Sequence, residues 1–207
     1  MIRRPTVLSL LKARLAAFRD DERANMSMET VIIFPMLVWV YLAMYVFFDA
    51  FRTQSLSDKA AYTIADMVSR EDVFVNNTYL DTLYSVHGAL SNSNHPTQMR
   101  VSMVRYNQNN DRYFRIWSRN RGGMGNLNNP MLRRSEYRER LPVVPHQDKF
   151  VLVETRTIYE PPFNLGWFGR VIVPGLDAHR FETFTITRPR GLNTQVCFQK
   201  NNGDMLC

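Results

Sequence analysis

The chain has 207 residues, a formal net charge of +7 and two cysteines. The basic excess is mild; it suits anionic surfaces but is accounted for by solubility, so no specific nucleic-acid partner is expected. Two cysteines with no histidine nearby cannot complete a zinc site, and no cofactor is expected.

The first element in chain order is a short basic amphipathic helix over residues 5–19. A longer and purely apolar run follows, from Thr30 to Phe48. No charge interrupts its 19 residues. As a helix it would measure about 28 Å at ~1.5 Å per residue, close to the ~30 Å hydrocarbon layer of a bilayer. It shows no polar stripe, which a surface helix of a globular protein would need. The run is therefore read as a transmembrane helix. Arg3, Arg4, Lys12, Arg14, Arg19 and Arg23 lie upstream, whereas Arg52 and Lys59 are the basic residues soon after it. That bias predicts a cytoplasmic N-terminus and a far-side location for residues 49–207. A cleaved secretory signal is the competing reading, with Ser55-Leu-Ser57 offering small residues at cleavage spacing. Its apolar core would normally be shorter and its basic head less extended. The leader and span leave roughly 159 residues, enough for one compact domain.

The stretch Phe18-Arg-Asp-Asp-Glu-Arg-Ala-Asn-Met-Ser-Met-Glu-Thr-Val-Ile-Ile-Phe-Pro35 carries more specific information. A charged leader ends in a small residue, a glutamate follows five positions on, and an apolar helix with an early proline comes next. This pattern resembles the N-terminal region of TadE/TadF-like pseudopilins of the bacterial tight-adherence (Tad, Flp-type) pilus system. The resemblance continues through Phe48-Asp-Ala-Phe-Arg52 and Lys59-Ala-Ala-Tyr-Thr-Ile-Ala-Asp66 and thins out afterwards, with weaker echoes in Val153–Pro162 and Arg188-Pro-Arg190. Ala24 stands where the family usually has Gly, and Thr30 where the related Flp pilins have Tyr. The resemblance implies cutting by a prepilin-type peptidase between Ala24 and Asn25. It also implies insertion in the inner membrane, with other Tad pilus assembly proteins and pilin subunits as partners. It assigns Glu29 and Pro35 to assembly, with Glu29 facing the new α-amino group of the same or a neighbouring subunit.

Physical reasoning leaves both residues with a plainer alternative. A carboxylate inside the apolar layer costs ~2.5–3.5 kcal/mol on insertion scales, so one at its edge needs water or a cation. The alternative reading of Glu29 is a helix-start residue favoured by the macrodipole and wetted by headgroups. Pro35 removes one helical hydrogen bond; it either bends the span or marks where the helix loosens on leaving the bilayer.

Helical periodicity continues past the membrane. Leu56, Ala60, Ile64, Met67 and Val68 lie on one side, with Arg52, Ser55, Lys59, Thr63, Asp66 and Arg70 on the other. One helix is thus predicted from about Asn25 to Arg70, its second half covering a folded domain. A second helix is expected from Thr78, with Asp81 at capping-box distance and Leu80, Leu83, Tyr84 and Leu90 on one face. Ser91–Pro96 should end it.

Strand patterns follow at 98–106 and 112–118, joined across Asn107–Asp111, then at 150–159, 180–187 and 195–198. In 150–159, Val151, Val153, Thr155, Thr157 and Tyr159 share one side. The segment Arg119–Leu141, with six arginines and four asparagines, reads as a solvated excursion with a helical turn near its end. An anion-binding role there would require those arginines on one face. Phe163-Asn-Leu-Gly-Trp-Phe-Gly169 is either a satellite core or a contact for a partner or membrane surface. On the oxidising side of a membrane, Cys197 and Cys207 would pair and staple the C-terminus.

Catalytic signatures are not found. His87, His95, His146 and His179 show no ligand spacing, no nucleophile elbow is present, and Gly122-Gly-Met-Gly125 lacks the setting of a phosphate loop. The expectation is a non-enzymatic, single-pass, pilin-like α+β protein: leader 1–24, transmembrane helix 25–48, and a periplasmic domain 49–207 in which the helix packs on a small antiparallel sheet. The alternative is an uncleaved membrane-anchored periplasmic scaffold or ligand-binding protein.

Overall fold

The computed structural model describes residues 12, 14, 16, 22–92, 95–161, 179–191 and 195–207, with side chains described from Met28 in the first long helix. The amphipathic helix expected over 5–19 is thus seen only at Lys12, Arg14 and Ala16, which are helical and exposed. The aromatic segment Phe163–Gly169 lies outside the described residues. The chain divides into two compact units, Met1–Phe47 and Phe48–Cys207.

Helix α1 spans Glu22–Ser69, 48 residues with Pro35 inside it. Within it, Met28–Ser69 is long and apolar enough to cross a membrane. Two features close its C-terminal end. The Ser69 hydroxyl donates to the Asp66 carbonyl, and the Arg70 side chain pairs with Asp66 at 2.9 Å.

The second unit is an α+β domain. Its sheet has the order β2-β1-β3-β4, from β1 (Gln98–Asn107), β2 (Arg112–Arg121), β3 (Lys149–Tyr159) and β4 (His179–Thr187). All neighbours are antiparallel, and a register shift falls between Met103 and Val104. A 3₁₀ turn, Gln108–Asn110, links β1 to β2. Asn107 caps it by accepting from the Asn109 amide, and Asp111 closes it in the left-handed region at φ 46°. After β2 the chain reverses at Gly122, where φ is +74° and an added Cβ would lie 2.2 Å from the Thr97 carbonyl oxygen, so only glycine fits.

Helix α2 (Asn77–Ser91) begins one turn-residue earlier than the sequence suggests. Its cap is Asn76, whose side chain accepts from the Tyr79 amide at 2.7 Å, rather than Thr78. Asparagine is the better cap because its carbonyl reaches the orphan amides from an extended backbone. The buried face is Leu80, Leu83, His87 and Ser91. Leu90, expected on that face, is exposed, because the stripe that runs through Leu80 and Leu83 at helical spacing continues to His87 and Ser91.

One face of the sheet receives both helices. Ile64, Ala65 and Val68 of α1 and Leu80 and Leu83 of α2 pack on Met99, Val101, Met103, Trp117, Val151 and Val153. Burying each large apolar side chain contributes ~1.5–3 kcal/mol. Polar contacts fix how α1 lies along the strands. Ser57 bonds Thr157 at 2.9 Å, Thr183 donates to Asp58 at 2.7 Å, and Tyr159 donates to Asp49 at 3.2 Å.

The opposite face is covered too, which corrects the reading of Arg119–Leu141 as a solvated excursion. That segment folds into two short helices, α3 (Asn129–Leu132) and α4 (Ser135–Arg138). Leu127, Leu132, Tyr137, Leu141 and Val144 then form a second core with Val104, Tyr106, Tyr113, Phe150 and Leu152. The arginines disguise widely spaced apolar residues. Strand β3 is consequently buried on both sides from Phe150 to Thr155.

The expected last strand is part of a small ribbon, β5 (Phe198–Gln199) with β6 (Met205–Leu206). It joins the first core through Phe198, which bridges in parallel to Val75 and lies 5.6 Å from the Trp117 ring. Cys197 and Cys207 form a disulfide across its ends.

Candidate functional site: an apolar helix with an acidic head

Within the first unit, α1 leaves almost its whole apolar surface uncovered. Val31, Ile32, Phe34, Met36, Leu37, Tyr41 and Met44 are each more than 60% exposed. A contiguous surface of this kind marks contact with lipid or with other protein helices. β-Branched and aromatic residues alternate through it with no polar side, so no rotation of the helix would bury one face and wet another.

Glu29 sits just before this surface and is exposed. Among the described residues its carboxylate has no hydrogen-bond or ion-pair partner. The described helix already runs from Glu22, two turns upstream. The macrodipole acts within the first turn, so in the intact chain Glu29 is too far inside the helix to be a helix-start residue. The backbones of Ala24 and Asn25 are helical. Pro35 lies six residues beyond Glu29 and cannot donate to the carbonyl of Val31, yet α1 continues through it.

Among the residues singled out in the sequence, the structure brings Cys197 and Cys207 together, with their sulfurs 2.06 Å apart. Ala24, Asn25, Glu29 and Pro35 are collinear along one helix. No group of three metal-ligating side chains occurs among the described residues.

The fold also creates a buried polar cluster that the sequence conceals. Arg100 on β1 and Glu154 on β3 are directly opposed in register. The Arg100 Nε and Nη2 atoms donate to the two Glu154 carboxylate oxygens, each at 2.6 Å. Tyr137 of α4 accepts from Arg100 and donates to Glu154 at 2.8 Å. Burial and the adjacent Glu154 carboxylate push the Tyr137 hydroxyl up to about 12. The side chains of Arg100 and Glu154 are 3% and 7% exposed, so no substrate reaches them. Removing one member of such a buried pair typically costs ~3–5 kcal/mol, which marks it as a clamp between sheet and excursion. Nothing in sequence signals it, because residues 54 positions apart meet only once strand register is set.

His87 is a second hidden group. It is fully buried, and neither ring nitrogen has a hydrogen-bond partner among the described residues.

Compared with protein-family models, curated proteins and solved structures, the chain matches none.

Proposed function

We propose that this chain is a pilin-like component of bacterial tight-adherence pilus assembly, of the TadE/TadF-like pseudopilin kind. Its N-terminus faces the cytoplasm, the first part of α1 spans the inner membrane, and residues 49–207 form a periplasmic domain. A prepilin-type peptidase cuts between Ala24 and Asn25. Lateral packing of the exposed helix against pilin subunits and other Tad proteins then admits the protein to the assembly. The observation that carries this reading is the position of Glu29. It is a carboxylate with no partner among the described residues, at the head of an uncharged apolar run and two turns inside the helix described from Glu22. Cutting after Ala24 would make Glu29 the fifth residue and place it beside a new α-amino group. The disulfide supports an oxidising compartment for the C-terminal domain.

A second reading, an uncleaved periplasmic scaffold or ligand-binding protein on the same anchor, draws on a different observation. Ala24 and Asn25 are helical, whereas proteolysis favours accessible, irregular chain. Mass spectrometry of the membrane-extracted protein separates the two. The assembly reading expects a mature chain starting at Asn25. Intact Met1 in cells that process other prepilins favours the scaffold. Glu29→Gln, which keeps shape but removes charge, should insert and be cut normally yet abolish pilus-dependent attachment. Normal attachment by the cut variant would overturn the electrostatic step.

A further inference from the structure

Asp111, Arg112, Tyr113, Leu132, Arg133 and Arg138 line a cavity of about 170 Å³ where β1 passes into β2. Its three arginines come from three separate elements. Arg112 opens β2, Arg133 caps the C-terminal end of α3, and Arg138 closes α4. Their convergence follows from the folding of the Arg119–Leu141 segment onto the sheet. Leu132 and Tyr113 belong to the second core, and the Tyr113 hydroxyl is committed to the Pro142 carbonyl at 2.9 Å.

The charges in this cavity do not balance. Asp111 accepts from the Tyr106 hydroxyl through one carboxylate oxygen and pairs with Arg138 through the other. Among the described residues, the Arg112 and Arg133 side chains have no hydrogen-bond or ion-pair partner. Three arginines against one aspartate leave the lining at a formal +2.

We propose that this cavity is a binding site for a phosphate group, either inorganic phosphate or the phosphate of a small monoester. A monoester phosphate carries about −1.5 to −2 charges at neutral pH, which matches the lining. Guanidinium forks fit tetrahedral phosphate oxygens and hold them by charge-assisted hydrogen bonds. A carboxylate would engage one fork and leave the second cation unmatched. The volume lies below the ~300 Å³ of the smallest drug-sized pockets, so it suits the phosphate itself rather than a nucleotide. Free phosphate and a lipid headgroup offer the same chemistry. The inference stands independently of the pilus reading.

The full chain in detergent micelles would be titrated calorimetrically at constant ionic strength with inorganic phosphate, glycerol 3-phosphate and acetate. Saturable 1:1 binding of both phosphates, with acetate much weaker, is the expected result. Arg112→Gln and Arg133→Gln should each weaken phosphate by roughly tenfold or more, the loss of one charge-assisted contact. Arg180→Gln, exposed on β4, should leave it unchanged. Both cavity side chains are exposed, so the variants should keep the wild-type melting temperature. Arg133→Lys, which retains charge without the fork, should fall between. Absence of saturable phosphate binding, equal binding by the cavity variants, or acetate as tight as phosphate would overturn the site. Short-chain phosphatidic acid in the same titration identifies the source. Tighter binding than glycerol 3-phosphate assigns a lipid headgroup, and equal or weaker binding assigns a soluble phosphate.

Discussion

At the residue scale, His87 shows how burial alone tunes a side chain. No partner among the described residues compensates its ring, and loss of hydration pushes its pKa down to about 4 from the ordinary 6.5. The sign of the resulting pH dependence follows directly. Between those two values the unfolded chain binds a proton at this residue and the folded chain does not, so stability rises with pH across the window. The contribution is complete above pH 6.5 and is lost progressively as pH falls toward 4. A difference of this size corresponds to about 3 kcal/mol. Urea unfolding of the wild type and of His87→Leu at a series of pH values should show the variant losing less stability between pH 6.5 and 4. Parallel profiles would contradict this account. Arg100 and Glu154 represent the opposite solution. They are buried charges retained because register, a bidentate fork and the Tyr137 hydroxyl satisfy them together.

At the scale of elements, the C-terminal ribbon is the one that could not persist by itself. Strands β5 and β6 contain two residues each, too few for a stable hairpin in water. Two features hold the ribbon. Backbone bonds run from the Val75 amide to the Cys197 carbonyl and from the Gln199 amide to the Val75 carbonyl, each at 2.9 Å. The disulfide closes the loop between its ends. In the chain-entropy description a loop of this size contributes ~2–3 kcal/mol. Reduction, or paired Cys197→Ser and Cys207→Ser substitution, should therefore lower the melting temperature, and thiol reagents should label neither cysteine before reduction. An unchanged melting temperature would show that Phe198 and the Val75 bonds suffice.

At the scale of the molecule, both hydrophobic cores draw all their residues from the unit Phe48–Cys207. The α1 residues that complete the first core, Ile64, Ala65 and Val68, also fall within it. A chain starting at residue 49, produced in an oxidising compartment, should thus be soluble without detergent and unfold cooperatively. The full chain should need detergent, because most of its apolar run is exposed, Ala43 and Val46 being the buried exceptions. Aggregation or a non-cooperative melt of the shorter chain would mean that residues before 49 contribute to folding.

What the sequence determined by itself is local. An uncharged apolar run needs no partner to declare itself, so α1 was legible at nearly its full extent, and period-two alternation marked the four sheet strands. The two cysteines, close in sequence, could find each other in a short loop. What only the tertiary structure decided depends on contacts between distant residues. The apolar positions Leu127, Leu132, Tyr137 and Leu141 are spaced irregularly among arginines, so no period revealed that they cover the sheet. Once they do, Arg112, Arg133 and Arg138 gather around one cavity. Strand pairing likewise set Arg100 against Glu154, and packing of α2 on the sheet buried His87. Side-chain periodicity records which way a residue faces along its own element; which residue it meets depends on register and on the layer folded over it.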